Sequence, residues 1–193
     1  MKPDYDSLYK IAENQAGYFT TSQARVVGYS WERLSNLTKT NKFIRIEKGL
    51  YRLNNFPFSS NEDLFLAILK SGPKSILSHE TALSVYELSD VLPGEIHIII
   101  PKTRSRRRKH VKYHIQKISD DEITKYKGLP ITTVERTIID VLNSGGDILQ
   151  VKKAIIEALN RGMTTKAHLL AQAQRSSPKT QRLYNELIKG LNN

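Results

Sequence analysis

The stretch from Gly17 to Leu53 constrains this 193-residue chain more than any other. Thr20 precedes a helical pattern, and Gln23 follows three residues later. That is capping-box spacing: the threonine oxygen accepts a free backbone N–H and the glutamine reaches back to the cap. The pattern stops at Gly28, a residue able to take the left-handed conformation that closes helices. Ser30 caps a second pattern, Trp31 to about Asn41. The period then changes. Phe43, Ile44 and Ile46 form a short strand-like run, Lys48-Gly49 supplies a turn, and Leu50, Tyr51 and Leu53 form a second run. Two short helices joined by a tight glycine turn and followed by a hairpin make a winged helix-turn-helix. The hairpin is the wing.

On the second helix Leu34 and Leu37 share a side and are expected in the core, together with the wing's Ile44 and Ile46. Arg33, Asn36, Lys39 and Thr40 are left for the outside. Arginine suits guanine edges and asparagine suits adenine edges, so this face can read bases in a major groove. Arg45, Lys48 and Arg52 of the wing are expected to meet the DNA backbone or minor groove. Thr21, Ser22 and Gln23 on the first helix and Trp31 on the second complete the candidate DNA-binding set. The competing account is a winged helix that touches only protein, with Arg33 and Lys39 merely solvated. Base readers beside a basic wing favour DNA.

A formal net charge of +11 and a pI near 9.8 point to a polyanionic partner. The chain has no cysteine, which excludes a disulfide scaffold and thiol catalysis and fits a reducing compartment. No apolar run approaches the roughly 18 residues of a membrane span. The N-terminus carries Asp4 and Asp6 and lacks the apolar centre of a secretion signal. A cytoplasmic protein with no membrane contact is expected.

Residues 3–16 read as the first helix, with a stripe of Tyr5, Leu8, Tyr9, Ala12 and Ala16. Asn54-Asn55-Phe56-Pro57-Phe58 then marks a boundary, giving a DNA-binding domain over 1–57 and a second domain over 58–193. Phe56 and Phe58 are expected to pack the domains together. Ser59 and Glu62 have capping-box spacing ahead of an apolar helix through Leu64–Leu69. A short strand at Ile76-Leu77 precedes a helix capped by Ser78 and running to about Leu88. Ile96–Ile100 and Val111–Ile115 read as strands, the latter with Lys112, His114 and Gln116 on a polar face. Shorter strands are expected around Gly128. Thr132 and Glu135 make a third capping box, and further helices start at Asp147, at Thr164 or Thr165, and after Ser176-Ser177-Pro178. The fold class is α+β: an N-terminal winged helix-turn-helix, then a mixed domain of short strands and packed helices.

The densest charge comprises Lys102, Arg104, Arg106, Arg107, Arg108, Lys109 and Lys112, between two strands. One account is a basic loop that contacts DNA phosphates or an acidic protein surface. The other is a solvated hairpin loop kept polar against aggregation. Like charges packed so densely repel unless a partner neutralises them, which favours contact.

The first half resembles the DNA-binding domain of the AbiEi abortive-infection antitoxins. The matching residues are 17–25 (Gly-Tyr-Phe-Thr-Thr-Ser-Gln-Ala-Arg), Gly28, Arg33-Leu34 and 46–53 (Ile-Glu-Lys-Gly-Leu-Tyr-Arg-Leu). The second half resembles the same family's C-terminal domain through 78–83 (Ser-His-Glu-Thr-Ala-Leu), Pro93 with Ile96-His97-Ile98, and 128–140, from Gly128-Leu129-Pro130 to Ile139-Asp140. The resemblance implies a non-enzymatic antitoxin of a type IV toxin–antitoxin system, active in phage defence. Its winged helix would repress its own operon by binding inverted repeats in double-stranded DNA. Its C-terminal domain would counter a nucleotidyltransferase-like toxin without needing a stable complex. Members fused to a nuclease-like domain are longer than this chain, which favours the antitoxin branch. The alternative is a DNA-binding regulator with a sensing C-terminal domain and no toxin partner.

No catalytic pattern stands out. There is no Walker loop, dinucleotide glycine pattern or Gly-x-Ser-x-Gly elbow. His79-Glu80 matches the start of a zinc-protease motif, but Leu83 occupies the place of the second histidine. His79, His97, His110, His114 and His168 have no standard metal spacing, so no metal and no cofactor are expected. His79, Glu80 and Arg136 all lie in the family-like segments and adjoin helix starts. They read either as a polar cluster tying helix ends together or as a functional surface for toxin control.

Overall fold

The computed structural model describes residues 2–90, 93–101 and 108–190. It divides into two compact units. The first holds the residues up to Pro73 with Lys127–Leu129, and the second holds Lys74–Tyr126 and the residues from Pro130 onward.

In the first unit, α1 (Tyr5–Glu13) starts at Asp4, whose carboxylate accepts the Ser7 N–H at 3.1 Å. Leu8 and Ala12 are buried, but Tyr5 and Tyr9 are 53% and 38% exposed, so only the inner half of the expected stripe closes the core. β1 (Tyr18–Thr20), α2 (Thr21–Val26) and α3 (Trp31–Lys39) follow, then the wing strands β2 (Phe43–Glu47) and β3 (Leu50–Leu53). The strands form an antiparallel sheet in the order β1-β3-β2. The capping box is complete: the Gln23 N–H donates to Thr20 Oγ1 at 3.2 Å, and the Thr20 N–H donates to Gln23 Oε1 at 2.8 Å. Gly28 has φ of +90°, and a Cβ there would lie 2.7 Å from the Lys2 carbonyl oxygen, so the turn between α2 and α3 needs glycine. Ser30 Oγ accepts the Arg33 N–H at 3.2 Å and starts α3.

Phe19 centres the core, meeting the Phe43 ring edge-on at 5.0 Å and stacking on Tyr51 at 5.7 Å. Leu8, Ala12, Ala24, Tyr29, Leu34 and Leu53 surround them, with Leu37 half-buried. Ile44 and Ile46 depart from expectation, being 40% and 37% exposed. β2 is an edge strand, and only its Phe43 end is covered. A bulge between Arg45 and Glu47 turns its outer half away from the core. The unit also contains α4 (Glu62–Ser71). The expected Ser59/Glu62 capping box does not form. Asn61 occupies the cap without a side-chain bond, and the Glu62 carboxylate is taken by Arg52 at 2.8 Å. The expected boundary after Pro57 thus falls between two residues that are ion-paired. Phe56 is half-buried against the first unit's core, whereas Phe58 is 88% exposed and packs no boundary.

In the second unit, β4 (Ile76–Leu77), β5 (Ile96–Ile100), β6 (Val111–Ile115), β7 (Ile123–Tyr126) and β8 (Leu129–Thr132) form a five-stranded mixed sheet in the order β6-β5-β4-β8-β7. β4 runs antiparallel to β5 and parallel to β8. β5 and β6 are parallel, with Ile96 opposite Val111 and Ile100 opposite Ile115. β5 and β6 are therefore not the two arms of a hairpin, and the hairpin-loop account of the segment between them is corrected. Alternation of residues along two strands does not encode their relative direction.

The helices are α5 (His79–Val85), α6 (Val134–Asn143), α7 (Ile148–Asn160), α8 (Lys166–Gln174) and α9 (Pro178–Lys189). α6 packs against all of the other four. It is accordingly buried through Thr137, Ile138, Ile139, Asp140, Val141 and Leu142. Its cap is Thr133, whose hydroxyl accepts the Arg136 N–H at 3.4 Å, and not Thr132. Thr132 Oγ1 instead pairs with Thr137 Oγ1 at 2.6 Å, and the Glu135 carboxylate accepts the Thr164 hydroxyl at 2.5 Å. Asp147, Thr165 and Ser177 cap α7, α8 and α9 through their side chains. α5 ends at Val85, short of the expected Leu88. No helix among the described residues is long and apolar enough to cross a membrane.

Candidate functional site

Leu34 fixes which face α3 shows. It is fully buried, with Leu37 and Thr38 half-buried beside it. At about 100° per residue, the opposite face carries Glu32, Asn36 and Lys39, flanked by Ser35 and Thr40, and all five are exposed. Arg33 is exposed too but lies toward Leu37. It lines a groove of about 540 Å³ with Tyr5, Tyr9, Tyr29 and Lys42. Thr40 closes the helix, donating its hydroxyl to the Asn36 carbonyl at 3.0 Å. Trp31 is 56% exposed at the first turn. Ser35 and Glu32 lie outside the expected DNA-binding set yet are exposed on or beside this face. Their phase relative to Leu34 places them beside Asn36 and Lys39, but neither residue type suggested DNA.

The other expected DNA contacts divide. Ser22, Arg45 and Lys48 are exposed. Thr21 is 7% exposed, so its hydroxyl is not displayed. Gln23 is half-buried and engaged within the unit, accepting from Thr20 and donating to Gln15 Oε1 at 2.9 Å. Arg52 is a correction. It is 5% exposed, and its guanidinium donates to Glu62 at 2.8 Å and to the Phe56 and Pro57 carbonyls at 2.9 and 3.2 Å. The Tyr18 and Phe58 rings lie 5.6 and 5.0 Å from its central carbon. A cation so enclosed clamps the segment after the wing and does not meet a phosphate. In the sequence Arg52 looks like a basic wing residue, yet β3 is the central strand and is buried along its length. Lys109 is exposed and Arg108 half-buried, while Lys102, Arg104, Arg106 and Arg107 lie outside the described residues.

The second unit brings His79 and Glu80 together but gives Arg136 a separate setting. Glu80 Oε2 lies 2.6 Å from His97 Nδ1, and His97 Nδ1 lies 3.3 Å from His114 Nε2. His79 stacks on His114 with ring centroids 3.6 Å apart, and its Nδ1 is 2.9 Å from Ser78 Oγ. The main chain holds this arrangement. The His97 N–H donates to Thr81 Oγ1 at 2.8 Å, and the Ser78 N–H donates to the His97 carbonyl at 3.1 Å, so the start of α5 is pinned to β5 on both sides. His79 has φ of +51°, a left-handed conformation costing a non-glycine residue on the order of 1–3 kcal/mol. Burial pushes the His79 imidazole down to about 3, helped by His114, and pushes His114 down to about 4, helped by His97 and Lys112. For Glu80, burial opposes the charge, but the His97 hydrogen bond and a backbone N–H outweigh it and hold the carboxyl at about 2.

Arg136 is a structural tie. Its Nε donates to both oxygens of Asp140 at 2.9 and 2.8 Å, and its other nitrogens donate to Glu122 at 2.8 Å and Gln116 at 2.5 Å. Gln172 adds a bond to the same Glu122 oxygen at 2.7 Å. Burial raises the Asp140 carboxyl above its usual range despite Arg136. At Glu122 burial also opposes charge, but bonds from Gln172, the Ser119 N–H and Arg136 prevail and lower it. Beside the network is a cavity of about 340 Å³ lined by Gln116, Arg136, Asp140, Gln172, Arg175 and Ser177, among others.

No curated protein sequence matches the chain. Among solved structures, the crystal structure of the RV2827C protein from Mycobacterium tuberculosis is similar in fold. It is 12% identical with a TM-score of 0.58, and the match covers 95% of this chain and 75% of that one. Residues 6–54, which hold all but the first residue of the winged helix-turn-helix built by α1–α3 and the wing, match the model of the family described as "Transcriptional regulator, AbiEi antitoxin".

Proposed function

We propose that this protein is a DNA-binding transcriptional repressor and the antitoxin of a type IV abortive-infection pair. The first unit docks α3 in the major groove of operator inverted repeats and sets Arg45 and Lys48 of the wing against the backbone or minor groove. The second unit counters a nucleotidyltransferase-like toxin. The observation that carries the reading is the exposed row of Asn36 and Lys39 on α3, in the stretch whose family match is to transcriptional regulators. Asparagine offers a bidentate partner for adenine, and lysine adds charge attraction for the phosphates. The basic run Lys102–Lys109 is assigned to flanking DNA or to the toxin. Replacing Arg106, Arg107 and Arg108 together separates those partners, since operator affinity falls in the first case and protection in the second.

The test uses the whole chain. Asn36→Ala with Lys39→Ala should abolish binding to an inverted repeat upstream of the protein's own gene. The same variant should still rescue growth when co-expressed with a nucleotidyltransferase-type toxin. Loss of rescue along with DNA binding would sink the division of labour between the units.

A second reading, a regulator with a ligand-sensing second unit and no toxin, draws on the cavity beside Arg136 and on a family match confined to residues 6–54. Absence of rescue by the unaltered protein favours it.

A further inference from the structure

We propose that His79, His97, His114 and Glu80 form a binding site for a single zinc-class divalent ion that fastens the start of α5 to β5 and β6.

The three histidines present ring nitrogens that all lie within 4.8 Å of one another. They come from different elements: α5, β5 and β6. Because β5 and β6 are parallel and His97 is opposite Lys112, His97 and His114 project from the same face of the sheet, one pleat apart. The spacing suits the ion. Tetrahedral zinc with Zn–N bonds of about 2.0–2.1 Å keeps its ligand nitrogens about 3.3–3.4 Å apart. His97 Nδ1 and His114 Nε2 are 3.3 Å apart. Glu80 Oε2 lies 2.6 Å from the same His97 nitrogen, closer than two ligands of one tetrahedral ion stand, so the carboxylate must swing off His97 to serve as the fourth donor.

Three imidazoles and one carboxylate leave a bound divalent ion with a single net positive charge in a largely buried place. Ser78 Oγ beside His79 Nδ1 supplies the kind of outer hydrogen bond that orients a metal-binding histidine and leaves its other nitrogen free. The stacked His79 and His114 rings are 12° from parallel, so both lone pairs reach one point only after ring rotation. Binding therefore opens the stack. With Glu80 swung in as the fourth donor no position is vacant, which makes this a structural site with no bound water to activate.

Zinc chloride is the probe, titrated into the full chain after chelator treatment. Calorimetry should give one ion per chain, and saturating zinc should raise the unfolding midpoint by on the order of 5 °C. Cobalt(II) should give the intense visible bands of a tetrahedral complex. His114→Gln should weaken zinc binding at least tenfold, as should Glu80→Gln, while His110→Gln and His168→Gln leave it unchanged. Nitrogen-15 imidazole spectra of the unaltered chain identify the zinc-bound histidines directly, so a variant that fails to fold does not shield the idea. Shifts confined to His110 or His168, or zinc uptake unaltered in His114→Gln, would overturn the site. Failure here leaves the repressor and antitoxin reading untouched, because that is read from DNA binding and rescue.

Discussion

The two units treat polar side chains in opposite ways. In the first, α3 turns Glu32, Ser35, Asn36, Lys39 and Thr40 outward and buries Leu34. Thr21, Arg52 and Ser71 are the buried exceptions, and Arg52 is sealed by Glu62 and two carbonyls. The second unit buries polar groups freely: His79, His97, Glu122, Thr132, Thr137 and Asp140 are all under 9% exposed. Each is tied to a partner from another turn or another element. Polar chemistry in the first unit therefore faces mostly outward, and in the second it is spent on holding short strands and helices together. A short strand buries little apolar area, so hydrogen-bonded networks and packed helices must supply its fixed geometry.

The harshest test of that contrast is Arg136→Ala. It leaves Asp140 buried without its cation and Glu122 with only the more distant Arg175, and stability should fall by about 3–5 kcal/mol in urea unfolding. A loss below about 1 kcal/mol would mean the network is ornamental. Leu34→Ala comes next, at about 2–5 kcal/mol, because Leu34 is the one α3 side chain wholly inside the core. Two positions along the same helix, Asn36→Ala should change stability by no more than about 0.5 kcal/mol. It should instead cost about 1–3 kcal/mol against the operator, with a smaller loss on random DNA. Equal losses on both DNAs would reassign Asn36 to a backbone contact. The mildest change is Lys48→Ala, which should weaken all sequences alike and reduce the slope of log affinity against log salt by about one unit. An unaltered slope would remove the wing tip from the interface.

What the sequence revealed follows the same contrast. The Thr20–Gln23 box, the Gly28 turn and the Ser30 cap are written within a few residues of one another, and the structure builds them as expected. Both strands around the basic segment were also legible from alternation. Their parallel pairing was not, because direction is decided by the rest of the sheet. Ile44 and Ile46 went to the wrong side because alternation does not reveal which strand lies at the edge. Arg52 was misread because its fate depends on Glu62, ten positions on. The histidine cluster was invisible for a related reason. His97 and His114 are 17 residues apart on two strands, and no local spacing rule joins them. Thr133 displaced Thr132 as a cap by a single residue, a shift that hydroxyl pairing with Thr137 decides.

The position of Trp31 has a practical consequence. It is the chain's only tryptophan, and it stands 56% exposed at the first turn of α3. Red-edge excitation isolates it from the nine tyrosines, so the intrinsic emission of the unmodified protein comes from a single known place. Docking of α3 against a nucleic acid would change the polarity and quenching around that indole. A titration can then be followed optically with no dye attached and no residue replaced. The same signal dates the encounter in a stopped-flow instrument, so arrival at the operator can be timed separately from whatever the remainder of the chain does afterwards.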